Sequence, residues 1–449
     1  MHSLLLKGNR NYRSFLWFIT TLNILIYLLC PLQSEPSISF FYFCFVSFII
    51  GTWCYLKIKR KVNFLDFDIL FIIIYALTCY TSTFFISNEV LYKALFFGYM
   101  FDVSYVNVGN SLVTVGILSY YCGGCSKVRI HKSNVHEIPP IIHTKGLSVL
   151  LLILTILFIG MGGMAYSQSA YLDTAGGFSP LIPYILLLIT FVSNVIIVSE
   201  FYNKKRTIRY KISKLALISI GVVVLILLLG GSRSNASYIA LPIIGIYCMM
   251  FKPLNVRQVL TFVILSIAAM WLIGQLRTGD SMSSVVNPIL YIVDLTIPSR
   301  NNYAVYEYVQ EKGFTYGASF IGVFTVIPFL SNFLGLVNGS GELLTQSFFD
   351  AHPNYNMIGL GTTVIADIYI AFGFVGVVIL MYLFGKIVKK YTIGAMWGNY
   401  YSIVIYAALF SVSVFTVRGY VTTGLRPAIW CFLIAYINLH LKFSKKVNP

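Results

Sequence analysis

The chain has 449 residues, of which 58% are hydrophobic and 10% are charged, and its mean hydropathy is +0.80. A soluble domain carries about 25% charged residues, so this composition excludes a soluble protein. The formal net charge of +17 lies in short loops between apolar runs, which indicates membrane topology and contact with anionic lipids rather than a nucleic-acid partner.

The apolar runs predict an all-α, polytopic membrane protein with about twelve transmembrane helices, forming one integral membrane domain over residues 1–449. Runs such as 181–201 and 361–385 can cross a hydrocarbon core of roughly 30 Å as helices. The predicted spans are 14–30, 37–56, 64–87, 94–121, 147–164, 181–201, 215–231, 236–251, 258–275, 361–385, 398–417 and 427–441.

Every second loop between these spans is basic. Twenty-five of the 32 Lys and Arg residues fall in such segments, and cytosolic loops of membrane proteins carry an excess of these residues. Both termini are therefore predicted to be cytosolic. The basic segments are 7–13, 57–61, 127–145, 202–214, 252–257, 386–390 and 442–446.

Residues 276–360 form one large external, or periplasmic, loop, which is too long to be a simple connector. Its apolar run 318–337 is interrupted by Pro328. A crossing there would place the lysines of 386–390 outside, so the run is predicted to be an interfacial or re-entrant helix. An extra span paired with a missed one stays an alternative. The aromatic residues expected to face lipid are Phe320, Phe324, Phe329 and Phe333.

Two patterns resemble metal sites, but neither supports one. Cys122 and Cys125, followed by two histidines, have zinc-like spacing, yet the segment is a short basic loop. Asp66 and Asp68 resemble the acid pair of nucleotide-sugar enzymes, but they lie at the predicted cytosolic start of a span, where acids favour the helix dipole. We expect no metal and no cofactor.

Seven cations lie on the predicted external side, against the charge bias. Lys93 and Lys312 are interpreted as solvated, and Arg426 as a lipid anchor. The remaining four are arginines close to predicted span ends or in the large loop, where a guanidinium suits a phosphate or carboxylate. They are Arg233, Arg277, Arg300 and Arg418, and their similar depth suggests one shared anionic ligand.

His352, in the sequence Asp350-Ala-His-Pro, is the one histidine on the predicted external side. A neutral imidazole can act as a general base in an exposed compartment. Segments rich in Tyr and Asn, such as 99–110 and 301–308, also lie at external ends, where they suit either a sugar or a membrane interface.

Several motifs follow one another in the second half of the chain. They are the Gly-Ser-Arg-Ser turn at 231–234, the large loop, the run His-Pro-Asn-Tyr-Asn-Met-Ile-Gly-Leu-Gly-Thr-Thr at 352–363, and Gly373-Phe-Val-Gly376 in the next span. Their order, over roughly residues 215–430, resembles the bacterial O-antigen polymerases of the Wzy type. The related O-antigen ligases share a histidine before a span with a Gly-x-x-Gly core.

Members of this family join repeat units of a surface polysaccharide on the periplasmic face of the bacterial inner membrane. Their donor is a glycan on undecaprenyl pyrophosphate. The resemblance implies that Arg233 is the turn arginine and that Arg277 and Arg300 are loop cations. With Arg418, these residues would bind and neutralise the pyrophosphate leaving group without a metal.

The resemblance also implies a base for the acceptor hydroxyl. His352, or Asp350 or Asp294 in its place, would take the proton as the hydroxyl attacks the anomeric carbon. Expected partners are the lipid-linked glycan, membrane lipids and a protein that regulates chain length. Two alternatives stay open, an O-antigen ligase and a lipid-linked oligosaccharide flippase, although the 85-residue external loop favours an enzyme.

Overall fold

The computed structural model describes residues 10–61, 63–86, 102–128, 141–169, 179–231, 233–261, 264–265, 297–327, 330–335, 339–351 and 359–440. Every regular element in these residues is helical. The α-helices are α1 Arg10–Leu29, α2 Ile38–Lys59, α3 Phe67–Tyr80, α4 Val106–Cys125, α5 Lys145–Gly160, α6 Gly163–Ser169, α7 Ile182–Arg206, α8 Lys214–Leu229, α9 Arg233–Met250, α10 Asn301–Lys312, α11 Ile321–Phe324, α12 Leu330–Phe333, α13 Ser340–Ala351, α14 Val364–Met396, α15 Tyr400–Ser411, α16 Ser413–Val417 and α17 Leu425–His440.

Four of the described helices, α1, α2, α7 and α14, are long and apolar enough to cross a membrane. Shorter apolar helices are α3, α5, α8, α15 and the Ser234–Met250 part of α9. All twelve predicted spans overlap described helical residues, although 258–275 does so only at 258–261 and 264–265 and otherwise lies outside the described residues. The chain is thus an all-helical protein with membrane-spanning candidates, while twelve crossings stay a prediction.

Helix α4 forms the centre of the bundle, and every one of its residues is buried. It packs against α1, α2 and α14. The approach to α14 is close enough to exclude side chains: a Cβ at Gly123 would lie 1.9 Å from the Tyr382 carbonyl oxygen, and a Cβ at Gly385 would lie 2.1 Å from that of Tyr120. Small residues therefore permit backbone contact here, as at other membrane helix interfaces.

The described parts of five basic segments, those at 57–61, 127–145, 202–214, 252–257 and 386–390, meet at one end of the bundle, which we call the basic end. The Lys389 Nζ donates to the Ser126 carbonyl at 2.6 Å, and the Lys205 Nζ donates to the Met250 carbonyl at 2.6 Å. The Asn63 Oδ1 accepts from the Leu254 backbone N–H at 3.1 Å, which joins two more basic segments. The alternation of basic loops in the sequence thus corresponds to a common location in space.

Asp68 holds the basic end together. Its carboxylate is 1% exposed and accepts from the Tyr55 and Tyr120 hydroxyls at 2.8 and 2.7 Å. Lys59 and Lys61 form ion pairs with it at 3.2 and 2.7 Å. These contacts join α2, α3 and α4, so this acid is a structural ion-pair partner among the described residues.

The opposite end, which we call the loop end, is formed by residues 33–36, 102–107, 297–317, 359–363 and 420–424. The Ser34 N–H donates to the Ser104 carbonyl at 3.0 Å, and the Tyr105 hydroxyl donates to the Gln310 side chain at 2.6 Å. Part of the predicted external loop therefore folds onto the helices here.

A break in α14 receives one segment of this loop. Gly373 has φ 65° and ψ −162°, a conformation that favours glycine. The helix break frees the Ile370 carbonyl, which accepts from the Thr315 N–H at 2.9 Å. A side chain at Gly373 would also approach the Phe314 ring at 3.2 Å.

The prediction of one interfacial helix over 318–337 is wrong for the residues described there. The segment contains two helices of four residues each, α11 and α12, with a bend at 325–327 between them. The Phe320 ring packs edge-on against Phe372 at 5.2 Å, whereas Phe333 is 86% exposed. Phe320 therefore packs against protein, while the lipid contact of these rings stays a prediction.

Candidate functional site at the loop end

Arg300 occupies a buried position where the loop end meets the bundle. It ends the 3₁₀ turn Ile297–Arg300, immediately before α10, and its side chain is 0% exposed. The turn packs against α3 and the following 3₁₀ turn Thr81–Phe85. A guanidinium keeps its charge when it is buried, so a polar or anionic environment is required around it.

Two asparagines beside Arg300 bind the segment that precedes α14. The Asn301 Nδ2 donates to the Leu360 and Gly361 carbonyls at 3.2 and 2.9 Å. The Asn302 Oδ1 accepts from the Thr363 hydroxyl, and that hydroxyl also accepts from the Ala366 N–H as the N-cap of α14. These bonds fix the backbone position of Arg300 relative to α14.

Several buried polar atoms near Arg300 have no hydrogen-bond partner. The Cys79 thiol interacts with the Asn302 side chain, which places the end of α3 beside α10. Nearly all buried polar groups of native proteins are hydrogen-bonded, so this group is suited to bind a polar ligand or water. The atoms are Thr78 Oγ1, Asn110 Nδ2 and Asn301 Oδ1.

Arg418 reaches the same end of the bundle along a neighbouring helix pair. The Phe67 N–H, at the start of α3, donates to the Tyr406 hydroxyl in α15 at 3.3 Å. Helices α3 and α15–α16 continue side by side from this point, because α16 also packs against α3. Arg418 follows α16 directly and acts electrostatically on the Tyr238 hydroxyl of α9.

The structure describes only part of the predicted site. Arg233 is the first residue of α9, although its side chain is not described. Asp350 lies exposed in the last turn of α13. Arg277, Asp294 and His352 lie outside the described residues. Of the seven predicted site residues, only Arg300, Arg418 and Asp350 have described side chains, so Arg300 and Arg418 are the two predicted arginines whose environment is known.

Asp367 is a site carboxylate that sequence reasoning missed. It is 0% exposed in the first turn of α14, and its two oxygens accept from the Ser340 hydroxyl at 2.8 Å and from the Val421 N–H at 3.0 Å. It therefore joins α13, α14 and the 3₁₀ turn Val421–Gly424. In the sequence, Asp367 looks like any acid in the first turn of a helix. Its partners Ser340 and Val421 are distant along the chain, so no sequence pattern indicates these contacts.

Glu342 and Tyr420 form a second unpredicted pair beside Asp367. The Tyr420 hydroxyl donates to the Glu342 Oε2 at 2.8 Å. Burial, together with the neighbouring Glu342 carboxylate, raises the pKa of the Tyr420 hydroxyl, which therefore stays a hydrogen-bond donor. Glu342 is exposed in the first turn of α13, so a proton acceptor is accessible at the loop end.

A cavity of about 220 Å³ adjoins this pair on the side of Tyr420. Residues of α7, α9, α11, α15 and α17 line it, together with the 3₁₀ turn after Tyr420. Arg426 lies at its edge, where its Nε donates to the Thr325 carbonyl at 2.6 Å. The lipid-anchor interpretation of Arg426 is therefore incomplete, since this guanidinium bonds within the protein.

The fold and this site together define an all-helical membrane-type protein that gathers buried arginine, amides and carboxylates at one end of its bundle. A family model described as O-antigen polysaccharide polymerase Wzy matches residues 12–448, which is nearly the whole chain. The chain therefore belongs to the Wzy O-antigen polysaccharide polymerase family. No curated protein and no solved structure gives a significant match.

Proposed function

We propose that this protein is an O-antigen polymerase that joins oligosaccharide repeat units carried on undecaprenyl pyrophosphate. In this proposal it is a single, twelve-span domain of the bacterial inner membrane, with both termini and the basic end in the cytosol and the loop end in the periplasm. Family membership supports the reaction, and the charge pattern supports the orientation. The observation that carries the proposed chemistry is the completely buried Arg300, which directly precedes the buried Asn301 and Asn302.

The arginines bind the leaving group in this mechanism. The acceptor hydroxyl oxygen forms a bond to the anomeric carbon of the donor glycan, while the bond from that carbon to the pyrophosphate oxygen breaks. The pyrophosphate leaves with the electron pair, and cations stabilise the charge that develops on it. We assign this role to Arg300 and Arg418, with Arg233 and Arg277 as further cations.

A base must accept the proton of the attacking hydroxyl. His352, Asp350 and Asp294 are the proposed candidates from the sequence. Glu342 joins them because it is exposed in the first turn of α13 and its carboxylate contacts Tyr420 at the edge of the cavity. One base is sufficient, since pyrophosphate needs little acid assistance to leave.

Deletion of the gene in its host tests the reaction, with the lipopolysaccharide analysed on a gel. Loss of a polymerase leaves lipid A–core carrying one repeat unit. Loss of a ligase would leave bare core while lipid-linked polymer accumulates, and loss of a flippase would leave bare core without periplasmic repeat units. Only the first pattern agrees with the proposal.

Re-expression of variants in the deletion strain tests the residues. Arg233→Ala and His352→Ala should shorten or abolish the polysaccharide ladder, whereas Lys312→Ala, which removes an exposed cation from α10, should restore it. Immunoblots of the membrane fraction must show equal amounts of each variant. Full ladders from both site variants would refute the assignment of those two residues.

A further inference from the structure

The cavity beside Tyr420 carries an inference that rests on the proposed function and specifies one part of the substrate. Asn194, in the middle of α7, lines it and is 2% exposed. Its Oδ1 has no hydrogen-bond partner. Thr422 also lines the cavity, and its Oγ1 is likewise buried without a partner.

The close packing around Thr422 maintains this arrangement. A Cβ on Gly322, which also lines the cavity, would lie 1.8 Å from the Thr422 Oγ1. Glycine thus lets α11 approach the 3₁₀ turn Val421–Gly424. The Arg426 bond to the Thr325 carbonyl and the Trp430 bond to the Val326 carbonyl, at 2.8 Å, hold the same segment against α17.

Most other polar groups in the cavity wall are already engaged. The Thr190 and Ser411 hydroxyls donate to carbonyls of their own helices, both at 2.7 Å. The Thr423 hydroxyl donates to the Tyr420 carbonyl at 2.6 Å. Asn194 and Thr422 are therefore the two lining side chains with a buried polar atom that has no partner, within the part of the chain that the structure describes.

The hydrogen-bonding capacity of these two side chains favours an uncharged ligand that carries hydroxyl groups. An asparagine Oδ1 can only accept a hydrogen bond, so it favours a ligand that donates one and disfavours an ionised phosphate. Phe191, Tyr238 and Tyr420 supply aromatic surface for the apolar faces of a ring. The volume is below the range of about 300–1,000 Å³ that is usual for drug-sized ligands, so it suits one ring rather than a whole repeat unit.

We propose that this cavity binds one neutral sugar ring of the glycan, with Asn194 and Thr422 as hydrogen-bond partners of its hydroxyl groups. The ring would then lie beside Tyr420 and within reach of the Glu342 carboxylate that Tyr420 contacts. The ring site recognises hydroxyl groups instead of the pyrophosphate and adjoins the proposed arginine site, since Arg418 acts on the Tyr238 hydroxyl in the cavity wall.

Near-isosteric variants separate binding from folding. Asn194→Leu and Thr422→Val remove buried polar atoms that lack partners, so apparent unfolding temperatures should stay equal or rise. Polymerisation in the deletion strain should fall about threefold to tenfold for each variant, which corresponds to one lost hydrogen bond. Asn23→Leu is the matched control: Asn23 is 1% exposed in α1, its Oδ1 also lacks a partner, and it is not among the cavity residues.

Full polymerisation by both cavity variants would overturn the proposal. So would equal losses in Asn23→Leu and the cavity variants, because the effect would then be general to buried asparagine. Unchanged stability with reduced polymerisation confined to Asn194→Leu and Thr422→Val supports it.

A measurement of ligand binding tests the sugar site independently of whether the chain is a polymerase. The purified full chain is heated with the oligosaccharide repeat unit, released from its lipid by mild acid, or with inorganic pyrophosphate. A bound ligand raises the unfolding temperature by mass action. The oligosaccharide should raise it for the native chain and for Asn23→Leu, but not for Asn194→Leu or Thr422→Val.

No shift with the oligosaccharide would overturn the sugar site, even if gene deletion shows the chain to be a polymerase. A pyrophosphate shift that both cavity variants abolish would overturn it as well, by identifying an anion site. If gene deletion leaves polymerisation intact, the proposed function fails, while an oligosaccharide shift that the cavity variants abolish would still support the sugar site.

Discussion

The two ends of the bundle use buried polar groups in different ways. At the basic end, the Asp68 carboxylate receives hydrogen bonds from two tyrosines and two lysines. At the loop end, asparagine and threonine atoms are buried without partners, close to Arg300 and in the cavity beside Tyr420. Burial alone therefore does not identify a site. Single buried atoms without partners also occur elsewhere, at Arg13 Nε and Asn23 Oδ1, so the proposed site rests on their grouping at the loop end.

This difference has an energetic consequence. A buried charge that is paired within the protein supports folding, and removal of one partner is costly. A buried polar atom without a partner lowers stability, so its retention favours a functional explanation. Substitutions at the basic end should accordingly reduce stability, and substitutions at the loop end should reduce activity first.

The largest expected effect on stability is at Asp68. Asp68→Asn leaves Lys59 and Lys61 without their shared carboxylate and should lower the free energy of unfolding by about 3–5 kcal/mol. Chemical unfolding of the detergent-purified protein measures this loss. Glu35→Gln, which changes an exposed acid, should have no comparable effect. A stable Asp68→Asn variant that has lost polymerisation would contradict the structural role.

The largest expected effect on activity is at Arg300. Arg300→Lys keeps the charge but loses the planar fork that binds two phosphate oxygens. Polymerisation should fall by about 10²–10³, the usual effect of losing one donor that stabilises transition-state charge. The reciprocal Lys312→Arg, at the exposed C-terminal end of α10, the helix that follows Arg300, should be fully active.

Quantified ladder length and the rate of repeat incorporation in membranes both report this effect. If Arg300→Lys matches the native chain in both, the anion site lies elsewhere. Equal unfolding temperatures for the two variants would show that any loss concerns the reaction rather than folding.

Hydropathy and charge predicted much of the fold because both act locally along the chain. Apolar runs predicted helices such as α7 and α14, and alternating basic loops predicted the common position of segments that include Lys205 and Lys389. Arg300 was singled out as a cation on the unexpected side; the structure shows that it is completely buried, and its role stays a proposal.

The remaining site residues depend on pairs that are distant in sequence. Tyr420 contacts Glu342, 78 positions away, and Arg426 contacts Thr325, 101 positions away. No periodicity or composition signals such pairs. The prediction of a single helix over 318–337 was wrong, because hydropathy reports burial in an apolar phase and does not specify that one helix runs through the segment.

A smaller effect on stability is expected at the break in α14. Gly373→Ala places a side chain at φ 65°, which should cost about 1–3 kcal/mol. The added Cβ also meets the Phe314 ring, so the loop end should be weakened most. Gly221→Ala in α8 is the control, because a Cβ there has no neighbour within 4 Å and should be neutral or stabilising. Equal unfolding temperatures for the native chain and Gly373→Ala would contradict the strained geometry.

The smallest expected effect on activity and stability is at Thr78. This substitution tests most directly whether buried polar groups at the two ends of the bundle differ in their roles. Thr78→Val removes a buried hydroxyl that has no partner and preserves the shape of the side chain. Stability should be unchanged or slightly higher, while polymerisation should fall about threefold to tenfold if the hydroxyl bonds the substrate. Thr20→Val, which removes a hydroxyl already bonded to the Leu16 carbonyl at 2.8 Å, should instead lower stability and leave activity per folded molecule unchanged.

The opposite signs of these two threonine changes are the important result. Thermal unfolding and the incorporation rate, each normalised to the amount of folded protein, measure them on the same preparations. If Thr78→Val lowers stability as Thr20→Val does, its hydroxyl is bonded within the protein. The loop end would then resemble the basic end, and unpartnered atoms near Arg300 could not be used to locate the substrate.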